Sequence, residues 1–437
     1  MIGQAGMTDS TRRFLFLQGP HGPFYDELAG SLRRAGATCW RIGVNRGDQA
    51  EWSDRASYIA LAAPARDWEA ALAGHVAALG ITDLVIYGEG RPLHRIGQRL
   101  ARAQGLNLHC FEEGYLRPWW LTYERGGLNG RSPLKSIGLD RIRRAVAGRD
   151  TELAGAPDGW GQALAHAWHG MRYHGWILAL NRGYPHYRTH RDPGVAREVW
   201  LNARFLLGQP LRMLASRLRI RRLLRRATPY HLVLLQLGHD SAMLSNSRYR
   251  SVSAFMRDCM EAFARGAPHD HLLVFKTHPF EDMREPLPRI MRQLAARHGL
   301  QERVMMIHGG KLGRLLDHAQ SAVTINSTAG QQALWRGLPL AALGDGVYVL
   351  PGLVSDQPLD AFFAAPKPPD LDAYRDFRRF LLATSQIRGG FYTARGRAAA
   401  LPVLVERMLE QTDACTRLLD EAESAPAMEP DNVNRAA

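Results

Sequence analysis

The sequence predicts an α/β protein built from two doubly wound domains that face a central cleft. Short apolar segments alternate with helical patterns over residues 13–111, and the same alternation returns from His231 onward. The length of 437 residues also suits two domains. Because doubly wound sheets bind ligands beyond the carboxyl ends of their strands, we expect the functional residues in the loops that follow the strands.

The predicted strands are short and rich in Val, Ile, Leu and Phe, which is typical of parallel strands buried on both faces. Residues 128–228 interrupt the alternation without a strand pattern, so we expect helices there. The first domain is predicted to have strands Arg13–Leu17, Thr38–Val44, Asp83–Tyr87 and Leu106–Phe111. The second is predicted to have strands within His231–Leu237, His271–Pro279, Arg303–Gly309, Ala322–Ser327 and Leu338–Gly344.

Changes in composition along the chain predict where the domains begin and end. The last residues are rich in Ala, Glu, Pro and Asn, a composition that rarely forms a packed core. The predicted segments are a flexible N-terminus over residues 1–12, a first domain over 13–228 that includes a helical basic connecting region over 128–228, a nucleotide-binding domain over 229–366, C-terminal helices over 367–418 that can cross back to the first domain, and a disordered tail over 419–437.

The composition also bears on location and on metal sites. No apolar segment is long enough to span a bilayer, and the first residues have too short an apolar core for a signal peptide, so we expect a cytoplasmic protein. The four cysteines and the histidines of residues 166–190 lack the spacing of zinc ligands. Asp370 and Asp372 have the DxD spacing of metal-dependent sugar transferases, but they precede a helix that Asp370 is predicted to cap. No metal site is therefore expected.

The net charge of +14 favours an anionic partner, such as a membrane surface, a phosphorylated substrate or nucleic acid. The densest basic segment, Arg212–Arg226, has seven arginines and no acidic residue. It either contacts anionic lipid headgroups or is a solvated basic helix, and since it contains no recognisable nucleic-acid-binding module we expect no nucleic acid partner. Helical spacing predicts Met213, Ile220, Leu223 and Leu224 on one face and Arg212, Arg219, Arg222 and Arg226 on the opposite face.

Two strand ends in the second domain carry groups that bind anions. Lys276 and His278 are two residues apart at the end of a predicted strand, so both side chains reach the same side of the sheet. Within Asn326–Gly330, Ser327 or Thr328 is positioned to cap a helix whose free N–H groups attract anions. A surface lysine and an ordinary helix cap would explain the same residues. Their occurrence in one domain favours a nucleotide site.

Adjacent carboxylates end a predicted strand in the first domain. Glu112 and Glu113 precede Gly114, and like charges this close repel and raise one pKa. One of the two is a candidate nucleophile or base, and Arg117 is a candidate ligand for a substrate carboxylate. A solvated turn is the alternative interpretation.

A glycine turn follows the first predicted strand. Gly19 and Gly22 lack both the spacing of a dinucleotide-binding loop and the lysine of a P-loop. We expect this turn, with Gln18, to let a substrate approach the backbone closely. Gln236 and Asp240 occupy the corresponding position in the second domain.

The segments QGPHGPF, FEEGYLRP, KTHP, IHGG, NSTAG, LPGL and GGFY occur in this order, and the ordered set resembles the KpsS/LipB-type proteins of capsule polysaccharide biosynthesis over about residues 13–395. The resemblance implies a GT-B-like fold with two Rossmann-like domains. It also implies transfer of a β-linked Kdo (3-deoxy-D-manno-oct-2-ulosonic acid) residue from CMP-Kdo to a (lyso)phosphatidylglycerol lipid, with retention. Such a protein would lie at the cytoplasmic face of the inner membrane, with capsule assembly proteins as partners and no cofactor.

The resemblance implies that Glu113 is the catalytic carboxylate, with Glu112 beside it. Departure of CMP places positive charge on the anomeric carbon and negative charge on the phosphate, so a carboxylate and cationic or amide donors are both needed. The sequence leaves a covalent intermediate and a front-face route open. The residues expected to bind the donor nucleotide are Lys276, His278, Pro279, Ser327, Thr328, Gly330 and Gln236. The residues expected to bind the other parts of the substrates are Gln18, Gly19, Gly22, Arg117 and Asp240.

Two other functions remain open at this point. A non-enzymatic capsule export or scaffold component would not need Glu113 for its activity. A GT-B enzyme that uses a UDP- or ADP-sugar would differ in the nucleotide that raises its melting temperature.

Overall fold

The chain folds into two α/β domains joined by a C-terminal segment. The computed structural model describes residues 12–149, 162–187, 195–278, 281 and 284–424. The predictions for residues 1–11, for Pro279 and for residues 425–437 lie outside the described residues. Within the described ranges, every helix is too short or too polar to cross a bilayer.

Among the described residues up to Arg226 there are six strands and seven α-helices. The strands are β1 (Arg13–Phe16), β2 (Thr38–Gly43), β3 (Tyr58–Ala60), β4 (Asp83–Tyr87), β5 (Asn107–Glu113) and β6 (Trp120–Arg125). The helices are α1 (Phe24–Arg34), α2 (Arg46–Ala50), α3 (Trp68–Leu79), α4 (Pro92–Gln104), α5 (Leu139–Val146), α6 (Gln162–Leu180) and α7 (Val195–Arg226). As predicted, the described part of residues 128–228 is helical and contains no strand.

The second domain follows α7. Its strands are β7 (Tyr230–Leu234), β8 (Leu272–Lys276), β9 (Val304–Ile307), β10 (Ser321–Thr324) and β11 (Leu340–Ala342). Its helices are α8 (Ser241–Ser245), α9 (Val252–Gly266), α10 (Leu287–His298), α11 (Leu312–Leu316), α12 (Gly330–Leu334) and α13 (Leu359–Ala364). The five strands are all parallel, in the order β11-β10-β7-β8-β9, so the topological switch point lies between β7 and β10.

The end of the chain returns to the first domain. It forms α14 (Leu371–Thr384), β12 (Gln386–Arg388), α15 (Ala394–Leu409) and α16 (Ala414–Ser424). Strand β12 pairs antiparallel with β6, which completes a seven-stranded sheet in the order β12-β6-β5-β4-β1-β2-β3. Strands β1 to β5 are parallel to one another, and β6 is antiparallel to β5. The switch point of this sheet lies between β1 and β4.

Three strands were not predicted, because β3 and β12 have three residues each and β6 mixes apolar with polar and charged residues. The cap at Asp370 is confirmed, since its side chain accepts a hydrogen bond from the Ala373 amide. Disorder from residue 419 onward is wrong for residues 419–424. Helix α16 continues to Ser424 because Leu419 is buried and Glu421 pairs with Arg149 at 2.6 Å.

The core of the first domain contains a buried charge at Asp83, at the start of β4. Its carboxylate accepts hydrogen bonds from Arg12 Nε at 2.7 Å and from His109 Nε2 at 2.8 Å, and His109 Nδ1 lies 2.8 Å from the Tyr123 hydroxyl. Burial raises the pKa of Asp83, but the hydrogen bonds from Arg12 and His109 more than offset this, so its pKa lies below the usual range. Arg12 also donates to the carbonyl of Met408, which ties β1 to the end of α15.

We expect Asp83→Asn to lower the free energy of unfolding by about 3 kcal/mol at pH 7, because it leaves a largely buried guanidinium without its carboxylate. The loss should shrink as the pH falls below 3.8, the ordinary pKa of an Asp, since the ionised group provides the stabilisation. Urea-unfolding midpoints measure it. The control is Asp67→Asn, whose pair with Arg66 is exposed, and equal midpoints for the two variants would contradict the prediction.

Candidate functional site

The candidate site lies where the carboxyl ends of the two sheets face each other. The loop after β4 contacts the second domain closely, since a Cβ atom on Gly90 would lie 2.4 Å from Cβ of Ser241. The segment after β6 makes two further contacts: Gly130 lies against the side chain of Asn246, and Lys135 forms a salt bridge with Asp345. These contacts bring the ends of β4 and β5 opposite those of β7 and β10.

The loop between β5 and β6 is held by both domains. Gly114 begins it, and a Cβ atom there would lie 2.4 Å from the Trp120 carbonyl oxygen, so the tight turn requires glycine. The Tyr115 carbonyl accepts a hydrogen bond from Gln331 Nε2 of α12 at 2.9 Å. The Leu116 amide donates to Gln386 Oε1 of β12 at 3.2 Å. The loop that carries Arg117 is therefore positioned by the second domain and by the returning segment together.

Strand β5 is longer than predicted and includes both carboxylates. Because successive residues of a strand point to opposite faces, Glu112 and Glu113 have different surroundings, and the pKa of Glu112 is raised mainly by burial rather than by the neighbouring carboxylate that the sequence analysis considered. Glu112 accepts a hydrogen bond from Asn129 Nδ2. Glu113 accepts one from the Tyr87 hydroxyl at 3.4 Å, and the Tyr392 hydroxyl lies 3.4 Å from that of Tyr87.

Glu112 has an unusual protonation equilibrium. Burial raises its pKa to about 7, and the charge of Asp240, which belongs to the second domain, adds to the shift, whereas Arg117 opposes it. A carboxyl group with this pKa exchanges protons readily near neutral pH, which is the property of a general acid or base. Glu112 is therefore a candidate general acid or base.

Lys276 and His278 lie at the end of β8 as predicted, although the strand itself ends at Lys276. Lys276 is buried and donates through Nζ to the Thr277 carbonyl at 2.8 Å. Burial lowers the pKa of Lys276 to about 8 and that of His278 to about 4. At pH 7 the lysine remains mostly protonated and the imidazole is neutral. A bound phosphate would favour the protonated form of both groups.

His278 also experiences charges from both domains. After burial, which lowers its pKa, the next contributions come from Asp240, which raises it, and from Arg117, which lowers it. The same two groups act on the pKa of Glu112. Arg117 and Asp240 are thus close enough to both Glu112 and His278 to act on their pKa values, and binding of one ligand by these four residues stays a prediction.

Gln236 and Asp240 have structural contacts at the switch point of the second sheet. Gln236 and Asn326 join the ends of β7 and β10 through two hydrogen bonds. Gln236 Nε2 donates to the side-chain oxygen Oδ1 of Asn326 at 2.9 Å, and the backbone N–H of Asn326 donates to Gln236 Oε1 at 3.1 Å. The Asp240 side chain caps α8 by accepting from the Ala242 amide at 2.8 Å. Asn326 was not singled out by the sequence analysis, although the motif that contains it was.

The prediction that Ser327 or Thr328 caps α12 and leaves free amides is wrong. The N-cap is Ala329, without a side-chain hydrogen bond, and its amide donates to Ser327 Oγ at 3.2 Å. The amides of Gly330 and Gln331 donate to the carbonyls of Ser327 and Thr328 in a tight turn. Gly330 itself is required by packing, because a Cβ atom there would lie 2.7 Å from the Tyr348 hydroxyl. Binding of phosphate by this turn stays a prediction.

The glycine turn after β1 is grouped with polar residues of the first domain. Gln18 donates to Asp48 Oδ2 at 3.2 Å, and the Gly22 amide donates to Glu51 Oε1 at 2.6 Å. Gly22 has a φ of 101°, and a Cβ atom on Gly19 would lie 2.6 Å from the Tyr25 ring. These contacts give the turn a packing role, and substrate binding by its residues stays a prediction.

Several residues of the site escaped the sequence analysis. Asn129 and Tyr87 donate to the two carboxylates, the Tyr392 hydroxyl lies beside that of Tyr87, and Arg91 donates to the Gly19 carbonyl at 3.2 Å. Only Tyr392 belonged to a recognised motif, and no local pattern connects it with β5. In the part of the chain that the structure describes, no group of three or more His, Cys, Asp and Glu side chains could hold a metal ion.

We expect Glu112→Gln to change the pH dependence of stability. The ordinary pKa of 4.5 rises to about 7 in the folded chain, so between these values folding takes up a proton and the free energy of unfolding falls as the pH rises. The variant should match the wild type near pH 4.5 and melt at a higher temperature at pH 8. Calorimetry measures both, with Glu69→Gln at an exposed site as the control. Parallel curves for wild type and Glu112→Gln would refute it.

The two facing domains and the returning C-terminal segment form a GT-B-like fold, which confirms the predicted fold class. Among solved structures, the chain is similar to KpsC from Thermosulfurimonas dismutans, a beta Kdo 2,7 transferase. That match covers 90% of this chain and 99% of the other, with 14% identity and a TM-score of 0.45.

Comparisons of sequence give closer relatives. The chain is 30% identical to the capsule polysaccharide export protein KpsS of Escherichia coli over 387 residues, which are 88% of this chain and 97% of that protein. It is 28% identical to the capsule polysaccharide modification protein LipB of Neisseria meningitidis serogroup B over 391 residues, which are 89% and 93% of the two chains. The family model for capsule polysaccharide biosynthesis proteins matches residues 82–392, a range that contains both carboxylates of β5 and the end of β8. The chain therefore belongs to the family of capsule polysaccharide biosynthesis proteins.

Proposed function

We propose that the protein is a glycosyltransferase that transfers a β-Kdo residue from CMP-Kdo to a (lyso)phosphatidylglycerol acceptor, with retention, and so initiates the poly-Kdo linker of a capsular polysaccharide. One observation carries the proposal. Asp240 and Arg117 each act on the pKa of Glu112 in the first domain and of His278 in the second, so an acid and the end of β8 share one site between the domains. Membership of the capsule biosynthesis family supports it.

The charges at the two sides of the site suit the departure of a nucleotide. Lys276 supplies a buried cation for the phosphate of CMP, and His278 donates a hydrogen bond or accepts a proton beside it. Arg117, at the exposed end of its loop, binds the carboxylate of Kdo. A buried cation that already lies at the leaving group costs no reorganisation when negative charge develops there.

The two carboxylates take different roles. Glu113, which accepts a hydrogen bond from Tyr87, acts at the anomeric carbon, either as a nucleophile or by stabilising positive charge. In a covalent route the Glu113 oxygen bonds to the anomeric carbon as the bond to the CMP oxygen breaks, and the acceptor hydroxyl then displaces Glu113. Glu112, with a pKa of about 7, takes the proton that the acceptor hydroxyl loses.

Apolar side chains on the surface support peripheral association with the anionic inner face of the membrane. Helix α6 exposes Leu164, Trp168 and Met171, with exposed fractions of 60% or more. Helix α7 exposes Leu211 and Leu214 between its arginines. Trp and Leu next to Arg are typical of surfaces that lie on anionic bilayers, and capsule assembly proteins at the same membrane are the expected partners.

We expect Glu113→Gln to reduce Kdo transfer by about two to three orders of magnitude, because the carboxylate acts on the charge of the transition state. Mobility of a fluorescent phosphatidylglycerol analogue incubated with CMP-Kdo measures the product. The stabilisation of the protein by CMP should not change. Transfer at the wild-type rate would reject this role for Glu113, and absence of transfer by the wild type with a full range of lipids would reject the donor assignment.

We expect CMP to raise the melting temperature more than UDP or ADP at equal concentration. Lys276→Met should abolish the effect of CMP, and in the wild type the effect should weaken as the pH rises above about 8, where Lys276 loses its proton. Lys367→Met, at an exposed position, is the matched control. A larger effect of UDP would favour a transferase for another nucleotide sugar, and an equal effect of CMP on Lys276→Met and Lys367→Met would exclude phosphate binding by Lys276.

A further inference from the structure

A second cavity lies between α7 and the edge of the second sheet, apart from the facing strand ends. Its volume is about 840 Å³, within the usual range for a site that holds one small ligand. We call it the basic groove. Arginines of α7 form one wall, Arg292 of α10 also lines the groove, and Glu302 is the one acidic residue among the described residues that line it. The arginines of this wall are Arg212, Arg219, Arg222 and Arg226.

The position of these arginines corrects the expected division of α7 into opposite faces. Ile220 and Leu223 are buried, as predicted for the apolar face. The arginines form a row along the helix, because residues seven apart, such as Arg212 and Arg219, lie on nearly the same line. This row lies beside the apolar face, since it lines the same cavity as Leu223. Arg219 Nη1 donates to the Met306 carbonyl of β9 at 3.0 Å, so the arginine row faces the sheet edge.

The opposite side of the basic groove is apolar. It is formed by Met291 of α10, by Val304, Met305 and Met306 of β9, and by Leu272 of β8. Met291 and Met305 are half-buried, so their side chains reach the cavity. Methionine is flexible and adapts its shape to an apolar ligand. A row of cations beside an adaptable apolar floor fits an elongated amphipathic anion.

His308 links the basic groove to the candidate site. His308, at the end of β9, lines the groove, and its Nδ1 lies 3.1 Å from Thr277 Oγ1. Thr277 lies between Lys276 and His278. The His308 amide donates to Ser216 Oγ at 3.0 Å, which fixes α7 to this end of the strand. From Arg212 to Arg226 the helix rises by about 21 Å, so the groove can hold a long chain that begins next to the donor residues.

We propose that the basic groove is the acceptor subsite and binds one anionic phospholipid molecule, with its phosphate on the arginines near His308 and an acyl chain on the methionine floor. Arginine binds phosphate oxygens through two parallel hydrogen bonds. The described lining contains no Trp, Tyr or Phe side chain on which a nucleic acid base could stack. The proposal rests on the proposed function only in taking the acceptor to be an anionic lipid.

The test measures binding of a fluorescent lysophosphatidylglycerol below its micelle concentration to the full chain, without any donor. The double variant Arg212→Glu/Arg219→Glu changes the groove at the end next to His308, on whose pKa both arginines act. The double variant Arg221→Glu/Arg225→Glu makes the same change of charge on the same helix at exposed positions that do not line it. We expect the first variant to lose at least tenfold in affinity for the monomeric lipid, and the second to stay within twofold of the wild type.

Two further measurements separate the groove from a general attraction to membranes. Both double variants should lose affinity for phosphatidylglycerol vesicles, since each removes positive charge from the surface. Met291→Gln/Met305→Gln, which keeps the charge, should weaken binding of the lysolipid with a long acyl chain more than of one with a short chain.

Equal lysolipid affinity of the two arginine variants would overturn the proposal, as would chain-length independence in the methionine variant. Transfer of Kdo by such variants to a short soluble acceptor would show that the proposed function survives. If the wild type did not bind CMP but still bound the lysolipid in the groove, only the proposed function would be contradicted.

Discussion

The hydrogen bond from Gln331 to the Tyr115 carbonyl joins the two halves of the candidate site. Tyr115 is the second residue of the loop that carries Arg117, and Gln331 belongs to the helix that follows β10. Gln386, from the returning segment, holds the next amide of the same loop. Since β5 runs directly into this loop, the positions of Glu112 and Glu113 relative to the second domain depend on these bonds between side chains and backbone, which are far apart in sequence.

Burial favours the uncharged form of each of three ionisable groups of the site. It raises the pKa of Glu112 to about 7 and lowers those of Lys276 and His278 to about 8 and 4. The protonation of Glu112 and Lys276 is sensitive to a new neighbour, because their pKa values lie within about one unit of neutral pH. A phosphate beside Lys276 and a developing positive charge beside a carboxylate are ligands of the required kind.

Several residues at strand ends lie near one another at the candidate site, but the sequence did not separate those that would contact a ligand from those that support the fold. Lys276, His278, Glu112 and Arg117 come together between the domains. The side-chain amide of Gln236 is hydrogen-bonded to Asn326, and Gly330 is needed for close packing against Tyr348. Polar residues and glycines are favoured at such positions for both reasons, and only the identity of their partners distinguishes them.

The sequence by itself determined the alternation of strands and helices, the parallel sheets and the strand ends that carry charge, because buried parallel strands and helices have periodicities that local residues express. The tertiary structure alone decided that β12 completes the first sheet, that Glu112 and Glu113 have separate surroundings, and that the arginines of α7 line a groove. These features depend on contacts between segments up to 270 residues apart, such as that of Leu116 with Gln386. No local pattern encodes which distant backbone or side chain a residue will meet.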